Sequence, residues 1–478
     1  MKILFITPYD NNYRYKSAFT KSLSYMPLTM PYLAALTPKE YDAEFKAIDE
    51  GVQKCDYAKL GFYDIVAITS VTSSVNRGYE LASYFKQKGS YIVMGGHHVT
   101  LMPDEAAQYA DTVMTGPADR IWREFISDYA NGSPKKRYNG EHCDIGAANI
   151  IPMRELMQKS KYIGVPTVIA NFGCTNKCEF CVINSFWGGK YSARQVQDVI
   201  DEIGSLKSKR ILFLDPSPTS NRAYAKEFFR SLIPLRIQWA GLCTTDICED
   251  EELFDLMVKS GCIGILMGFE TFNEDSLKES HKRNKVAEYK AAVDKFHQNG
   301  VSILGTFMLG FDGDTKESIM KMPDYIEEIG VDIPRFAILT PYPNTPTYKR
   351  LEAEGRIISK NWNDYDSIHA TFAPKNFTAR ELEDMLVAVS NECYTLKRIW
   401  RRAVKNKYGG LIKLGVNIGF KIYNKKVEKT LKREWRKKGE NNLYTSRYRQ
   451  KNRPKIPAKL ADGAAYHSGF EFYDSRQH

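Results

Sequence analysis

Residues 167–181 read Thr-Val-Ile-Ala-Asn-Phe-Gly-Cys-Thr-Asn-Lys-Cys-Glu-Phe-Cys. The apolar, β-branched start predicts a strand over Thr167–Asn171, and the glycine after it predicts a turn. Cys174, Cys178 and Cys181 then follow with C-x3-C-x2-C spacing. A loop this short wraps three thiolates around three corners of a cubane [4Fe–4S] cluster and supplies no fourth ligand. One iron stays open, and an open metal position is where a substrate or cofactor coordinates. Structural zinc is the competing reading, but zinc wants four closed ligands. No nearby Cys or His completes the set, and His142 and Cys143 lie before the strand.

Outward from this loop, residues 166–350 alternate six strand-like runs with helix patterns. The strands are Thr167–Asn171, Arg210–Asp215, Gln238–Thr244, Ile263–Phe269, Ser302–Leu309 and Arg335–Thr340. Helices are expected near Ala193–Leu206, Asn221–Leu232, Glu251–Lys259, Ala287–Asn299 and Lys316–Ile329. Six such units imply a partial barrel, whose reactive residues sit at the C-terminal strand ends. The cysteines follow the first of those ends.

Residues 1–131 also alternate strands (Lys2–Thr7, Ala43–Ile48, Asp64–Ser70, Tyr91–Gly95, Thr112–Thr115) with helices (Val75–Lys88, Asp104–Tyr109, Ala118–Tyr129), the pattern of a parallel α/β sheet. Its C-terminal loops are rich in small and polar residues: Thr69-Ser70-Val71-Thr72-Ser73-Ser74, Gly95-Gly96-His97-His98 and Gly116-Pro117. Ligands of open α/β sheets lie at that edge, and small residues let a large flat ligand approach the backbone. Residues 132–165 read as a linker, 351–453 as a helical basic region, and 454–478 as a partly disordered tail.

At 478 residues, with 43% hydrophobic and 26% charged residues, the chain has the composition of a soluble protein of two or three domains. It carries no apolar run long enough to span a bilayer, and its N-terminus reads as a first strand, so a cytoplasmic location is expected. Nine cysteines, three of them clustered, fit a metal or redox site in a reducing compartment better than a disulfide framework. The net charge of +11 is concentrated: residues 397–455 hold about 21 Lys and Arg against about 3 acids. Within that region Leu411–Ile422 is apolar with interspersed Lys. It reads either as a peripheral membrane contact or as a helix packed on the barrel. Nucleic acid is the weakest partner, because no recognised motif accompanies the charge.

From Met1 to about Arg402 the chain resembles a radical SAM enzyme with an N-terminal cobalamin-binding domain, of the class B methyltransferase kind. The cysteine motif, with Phe180 before the last cysteine, is the most specific element. Phe213-Leu214-Asp215, Trp239 to Asp246, Gly268-Phe269-Glu270-Thr271, Met308 to Thr315 and Leu339 to Pro346 resemble the family's later strands. Gly95 to Thr100 resembles its Gly-Gly-x-His-x-Thr loop, and Pro31 to Leu36 its first helix.

The resemblance implies an α/β fold: a Rossmann-like cobalamin-binding domain, a partial (β/α)6 TIM-like barrel and a helical basic C-terminal region. It implies a [4Fe–4S] cluster on Cys174, Cys178 and Cys181, with S-adenosylmethionine (SAM) on the open iron. Asp215 and Glu270 would contact SAM, and Thr69, Ser70, Gly95, Gly96, His98 and Gly116 would contact cobalamin. It also implies a reductant such as flavodoxin or ferredoxin. The reaction would be methylation of an unactivated carbon in a small-molecule or lipid-like substrate. The alternative is radical cyclisation, rearrangement or coupling. The chain departs from the family at Thr244, where an Arg often pairs with the SAM carboxylate, and at Pro117, usually Glu. It also lacks the Asp-x-His-x-x-Gly signature of histidine-ligated cobalamin.

Overall fold

The run Lys-Ile-Leu-Phe-Ile-Thr is apolar on both faces, and such a run suits the centre of a sheet covered on both sides. In the structure, a computed structural model describing residues 1–10, 24–141, 150–405 and 410–440, it forms β1 (Lys2–Thr7) with Ile3, Leu4, Phe5 and Ile6 all buried. β1 pairs in parallel with β2 (Glu44–Asp49) and β3 (Ile65–Thr69). β4 (Tyr91–Gly95), β5 (Thr112–Thr115) and β6 (Arg137–Asn139) extend the sheet in the order β2-β1-β3-β4-β5-β6, parallel throughout. The edge strand β6 lies in the segment expected as a linker. The sequence Arg-Tyr-Asn carries little strand signal; pairing with β5 and burial of Tyr138 make it one. Met157 and Tyr162, further along the same segment, are also buried in this domain's core.

The second sheet has the order β14-β13-β12-β11-β10-β7, again parallel. Its strands are β7 (Thr167–Val168), β10 (Arg210–Phe213), β11 (Gln238–Cys243), β12 (Cys262–Glu270), β13 (Ser302–Leu309) and β14 (Ile333–Ile338). Helices Glu251–Lys259 and Lys316–Ile329 have the expected bounds. β13 alternates: Ile303, Gly305, Phe307 and Leu309 are buried, whereas Ser302, Leu304, Thr306 and Met308 are half-buried. The half-buried face carries Gly268, Thr306 and Arg335 side by side in register.

The first expected strand is divided. Thr167–Val168 belongs to the barrel, whereas β8 (Asn171–Gly173) leaves it to pair antiparallel with β9 (Tyr191–Ala193). The cysteine loop hangs from this hairpin.

Beyond the barrel, helix Ala379–Cys393 begins with a capping box, Thr378 with Glu381. Two further helices follow, Leu396–Lys405 and Gly410–Glu440. The segment Leu411–Ile422 opens the longer one and packs on the barrel. Lys413 is buried with its Nζ 2.9 Å from Asp332, and buried Asn417 donates to the Asp332 carbonyl. Among the described residues no helix is long and apolar enough to cross a membrane. The 454–478 tail lies outside the described residues.

Candidate cluster site and facing sheet edge

Gly173 closes the hairpin at φ +76°, and a Cβ there would overlap the Lys190 carbonyl. Only glycine fits that turn, and it aims the cysteine loop away from the strand. The loop docks at several points. Glu179 N–H donates to the Ser280 carbonyl (3.1 Å), the Glu179 carbonyl accepts from Thr347 N–H (3.4 Å), and Phe180 meets Phe311 edge to face at 6.1 Å. His281 Nδ1 stands 3.0 Å from the Glu179 carboxylate. Cys174 accepts from Asn176 N–H at 3.4 Å, and Ser220 Oγ lies 4.0 Å from its sulfur.

All three cysteines are free thiols; Cys178 is buried, and Cys174 and Cys181 are partly open. Burial pushes the Cys178 thiol up to about 11, opposed by the Lys282 ammonium. Burial likewise raises Cys181, opposed by the N–H groups of Asn184 and Ile183 at the start of helix Val182–Trp187. Iron would displace those protons. Among the described residues no three His, Cys, Asp or Glu groups converge as on a single ion. Three free thiols in one docked loop suit a cluster, which spreads its ligands around a body of several atoms. His142 and Cys143 lie outside the described residues.

Glu270 ends β12 at φ +68°, a left-handed position rare for a side chain of its size. Its carboxylate folds back over Gly268, into space that a Cβ would fill, and Oε1 sits 3.2 Å from Lys282 Nζ. Asn284 Nδ2 donates to the Gly268 carbonyl (2.7 Å), and Tyr289 Oη to the Phe269 carbonyl (2.6 Å), bracing the strand end. Burial works to lower the Lys282 pKa, but Glu270, Cys178 and Cys181 outweigh it and hold the ammonium above its ordinary value. Lys282 is the residue that strand-end reasoning missed. It lies twelve positions past Glu270 in a stretch without periodicity, and no motif marks it.

Asp215, expected to contact SAM, braces the backbone at the end of the first expected strand. It is 1% exposed, and its Oδ1 accepts from the N–H groups of Ala170 (2.9 Å) and Asn171 (2.5 Å). Burial pushes it up to about 7 against those two bonds. It pins the backbone where β7 gives way to β8 and so positions the cysteine loop. Its Oδ2 and both side-chain polar atoms of buried Asn171 have no protein partner. A cavity of about 440 Å³ is lined by Thr271, Phe272, Asp314 and Tyr325 among others, and by none of the cysteines.

On the first sheet, Gly95, Gly96, His97 and Gly116 are half-buried at the C-terminal edge, with Thr69 beside them and Val71 47% exposed. Ser70 is buried, and its backbone bonds to Gly95 and His98. A Cβ on Gly96 would come within 2.7 Å of the Ser70 carbonyl, so the two loops seat on one another. His98, expected at the cofactor edge, is wholly buried. Its Nδ1 lies 3.3 Å from Thr72 Oγ1, and its ring packs on Trp362 at 5.1 Å. His97 holds the edge position instead, and it touches Phe186, five residues past Cys181. The loops ending the two sheets therefore meet. Asn344 Nδ2 donates to the Leu101 carbonyl, and Trp362 Nε1 donates to Glu105 at 2.9 Å.

Residues 168–326 match the Radical SAM superfamily. The chain is 28% identical to bacteriochlorophyllide d C-12(1)-methyltransferase of Chlorobaculum tepidum, over 79% of this chain and 84% of that one. It is 26% identical to the anaerobic magnesium-protoporphyrin IX monomethyl ester cyclase of Cereibacter sphaeroides, over 84% of this chain and 71% of that one. Its fold is similar to that of a radical S-adenosylmethionine methyltransferase, TsrM, from Kitasatospora setae, solved with cobalamin and a [4Fe–4S] cluster bound. That match has a TM-score of 0.59 at 17% identity and covers 74% of this chain and 75% of the other.

Proposed function

We propose that this chain, whose residues 168–326 match the Radical SAM superfamily, is a radical SAM enzyme that methylates an unactivated carbon of a small-molecule or lipid-like substrate, using cobalamin held at the edge of the first sheet. The meeting of the two C-terminal sheet edges at His97 and Phe186 carries this reading. It brings the cysteine loop and a glycine-rich edge to one shared space, as a reaction with two cofactors requires.

When bound, the cluster would supply the electron for SAM cleavage and cobalamin would supply the methyl group. The chain's own work is positioning. Cys174, Cys178 and Cys181 would hold the cluster, and the Asp215 bonds and the β8–β9 hairpin fix where it sits. Glu270, paired to Lys282, would take the methionyl amine. Two cations stand on that side of the barrel, Lys282 and Arg335, in place of the Arg that Thr244 replaces. Thr69, Gly95, Gly96 and Gly116 would line the cobalamin, with His97 at its margin. The orphaned polar atoms of Asp215 and Asn171 mark a polar region that water or ligand would satisfy.

Similarity to a ring-forming cyclase over 84% of this chain favours a second reading, radical cyclisation on the same scaffold. Anaerobic reconstitution with iron, sulfide, cobalamin and SAM under a flavodoxin-type reductant separates the two. Deoxyadenosine together with methylcobalamin is expected. Deoxyadenosine without cobalamin uptake would favour cyclisation, and no deoxyadenosine would count against both.

A further inference from the structure

The outward face of helix Gly410–Glu440 is continuous and has one sign of charge. Between Lys413 and Arg436 its exposed positions are Gly415, Ile418, Ile422, Lys425, Lys429, Lys432 and Arg436, spaced by three or four residues and so aligned in one stripe. From Ile418 to Arg436 the stripe runs about 27 Å. Two of the helix's three acidic residues are turned elsewhere: Glu434 accepts from His369 at 2.7 Å, and Glu428 from Asn391 at 3.1 Å, although Glu428 also reaches Lys432.

The neighbouring helix, Leu396–Lys405, crosses it where Arg402 meets Asn417 at 2.9 Å. Ile399 and Arg402 of that helix are buried, so its outer face shows Leu396 (70% exposed), Lys397, Trp400 (64%) and Arg401. Ile418 and Ile422 are 39% and 42% exposed.

We infer that this face docks on an anionic bilayer surface. The cations match its charge. The exposed Trp and aliphatic side chains match its interfacial layer, where an aromatic ring and branched chains are stable. A polynucleotide would use the same cations but has no use for Leu396, Ile418 and Ile422 in the open, so the bilayer is the occupant the pattern favours. The contact differs from one made by Leu411–Ile422 as a whole, because Lys413 and Asn417 face the barrel.

Flotation of the full chain with vesicles of equal parts phosphatidylcholine and phosphatidylglycerol tests this, with pure phosphatidylcholine as the control. Intact protein should float with the mixed vesicles only. Each surface cation contributes roughly fivefold to partitioning. The quadruple variant Lys425→Gln, Lys429→Gln, Lys432→Gln, Arg436→Gln should therefore bind at least about a hundredfold more weakly. Trp400→Ser with Ile418→Ser should also lose binding, without loss of thermal stability. Failure of the intact chain to float, or equal flotation of the quadruple variant, would overturn the inference. So would a salt-sensitive shift of duplex DNA, abolished in the quadruple variant, from protein that ignores the vesicles.

Discussion

The rings of His97 and Phe186 meet with centroids 4.8 Å apart and planes at 63°, joining the short helix His97–Leu101 after β4 to helix Val182–Trp187 after the cysteines. Burial holds the His97 imidazole below its ordinary pKa, so at neutral pH the ring is uncharged and packs as an aromatic group. The two sheet edges are therefore held together by an apolar contact beside the space assigned to cobalamin.

His97→Ala should weaken cobalamin binding by about two- to tenfold, the worth of one aromatic pair. Equilibrium dialysis against hydroxocobalamin measures this, and iron content should stay unchanged. An unaltered dissociation constant would remove His97 from the cofactor's margin.

Lys282→Met should destabilise the protein by about 3–5 kcal/mol, because it strands the Glu270 carboxylate in a buried position. The double variant Lys282→Met, Glu270→Leu should recover most of the loss, since removing both charges leaves neither uncompensated. Anaerobic urea unfolding of the three proteins gives the comparison. Equal loss in the single and double variants would show that packing, not charge, is what Lys282 provides.

Asp215→Asn should flatten the stability–pH profile. The folded pKa, about 7, lies above the unfolded value of 3.8, so the folded state binds the extra proton between those two pH values. Stability from this group is full below about pH 4, falls as pH rises to about 7 and stays level above, a change of up to about 4 kcal/mol. Asparagine keeps an oxygen for the Ala170 and Asn171 N–H groups but carries no titrating charge. A wild-type slope retained in the variant would assign the effect to other groups.

Trp362→Ala should cost about 3–5 kcal/mol, as for other buried aromatics. It removes both the bond to Glu105 and the ring on His98. Calorimetry should show one transition moving down as a whole. An unchanged midpoint would mean that this contact is not coupled to either sheet.

The cysteine spacing, the β13 run and two helices were legible because each depends on local periodicity or on a motif within one loop. The division of the first strand was not. It depends on Asp215, more than forty residues away in sequence, drawing the N–H groups of Ala170 and Asn171 off the barrel. The exchange of His98 for His97 was hidden for a related reason. The two histidines open the short helix His97–Leu101 and point to different sides, and Thr72 and Trp362 meet the one that is buried. Lys282 is recognisable only once the φ of Glu270 turns its carboxylate back toward it.

Tyr348, Trp362 and Tyr365 belong to the same buried cluster as Leu4, Ile6, Val66 and Ile68. The first sheet is thus finished by aromatic side chains encoded about 210–225 residues after Asn139, the end of β6. At roughly 5–20 residues per second, a ribosome delivers them some 10–50 s after the sheet's own strands have emerged. During that interval the nascent first domain has an open apolar flank, and the barrel must be translated before the flank can close. A chain cut between the two sheets would leave that flank exposed permanently, so the two halves should be expressed and inherited as one unit.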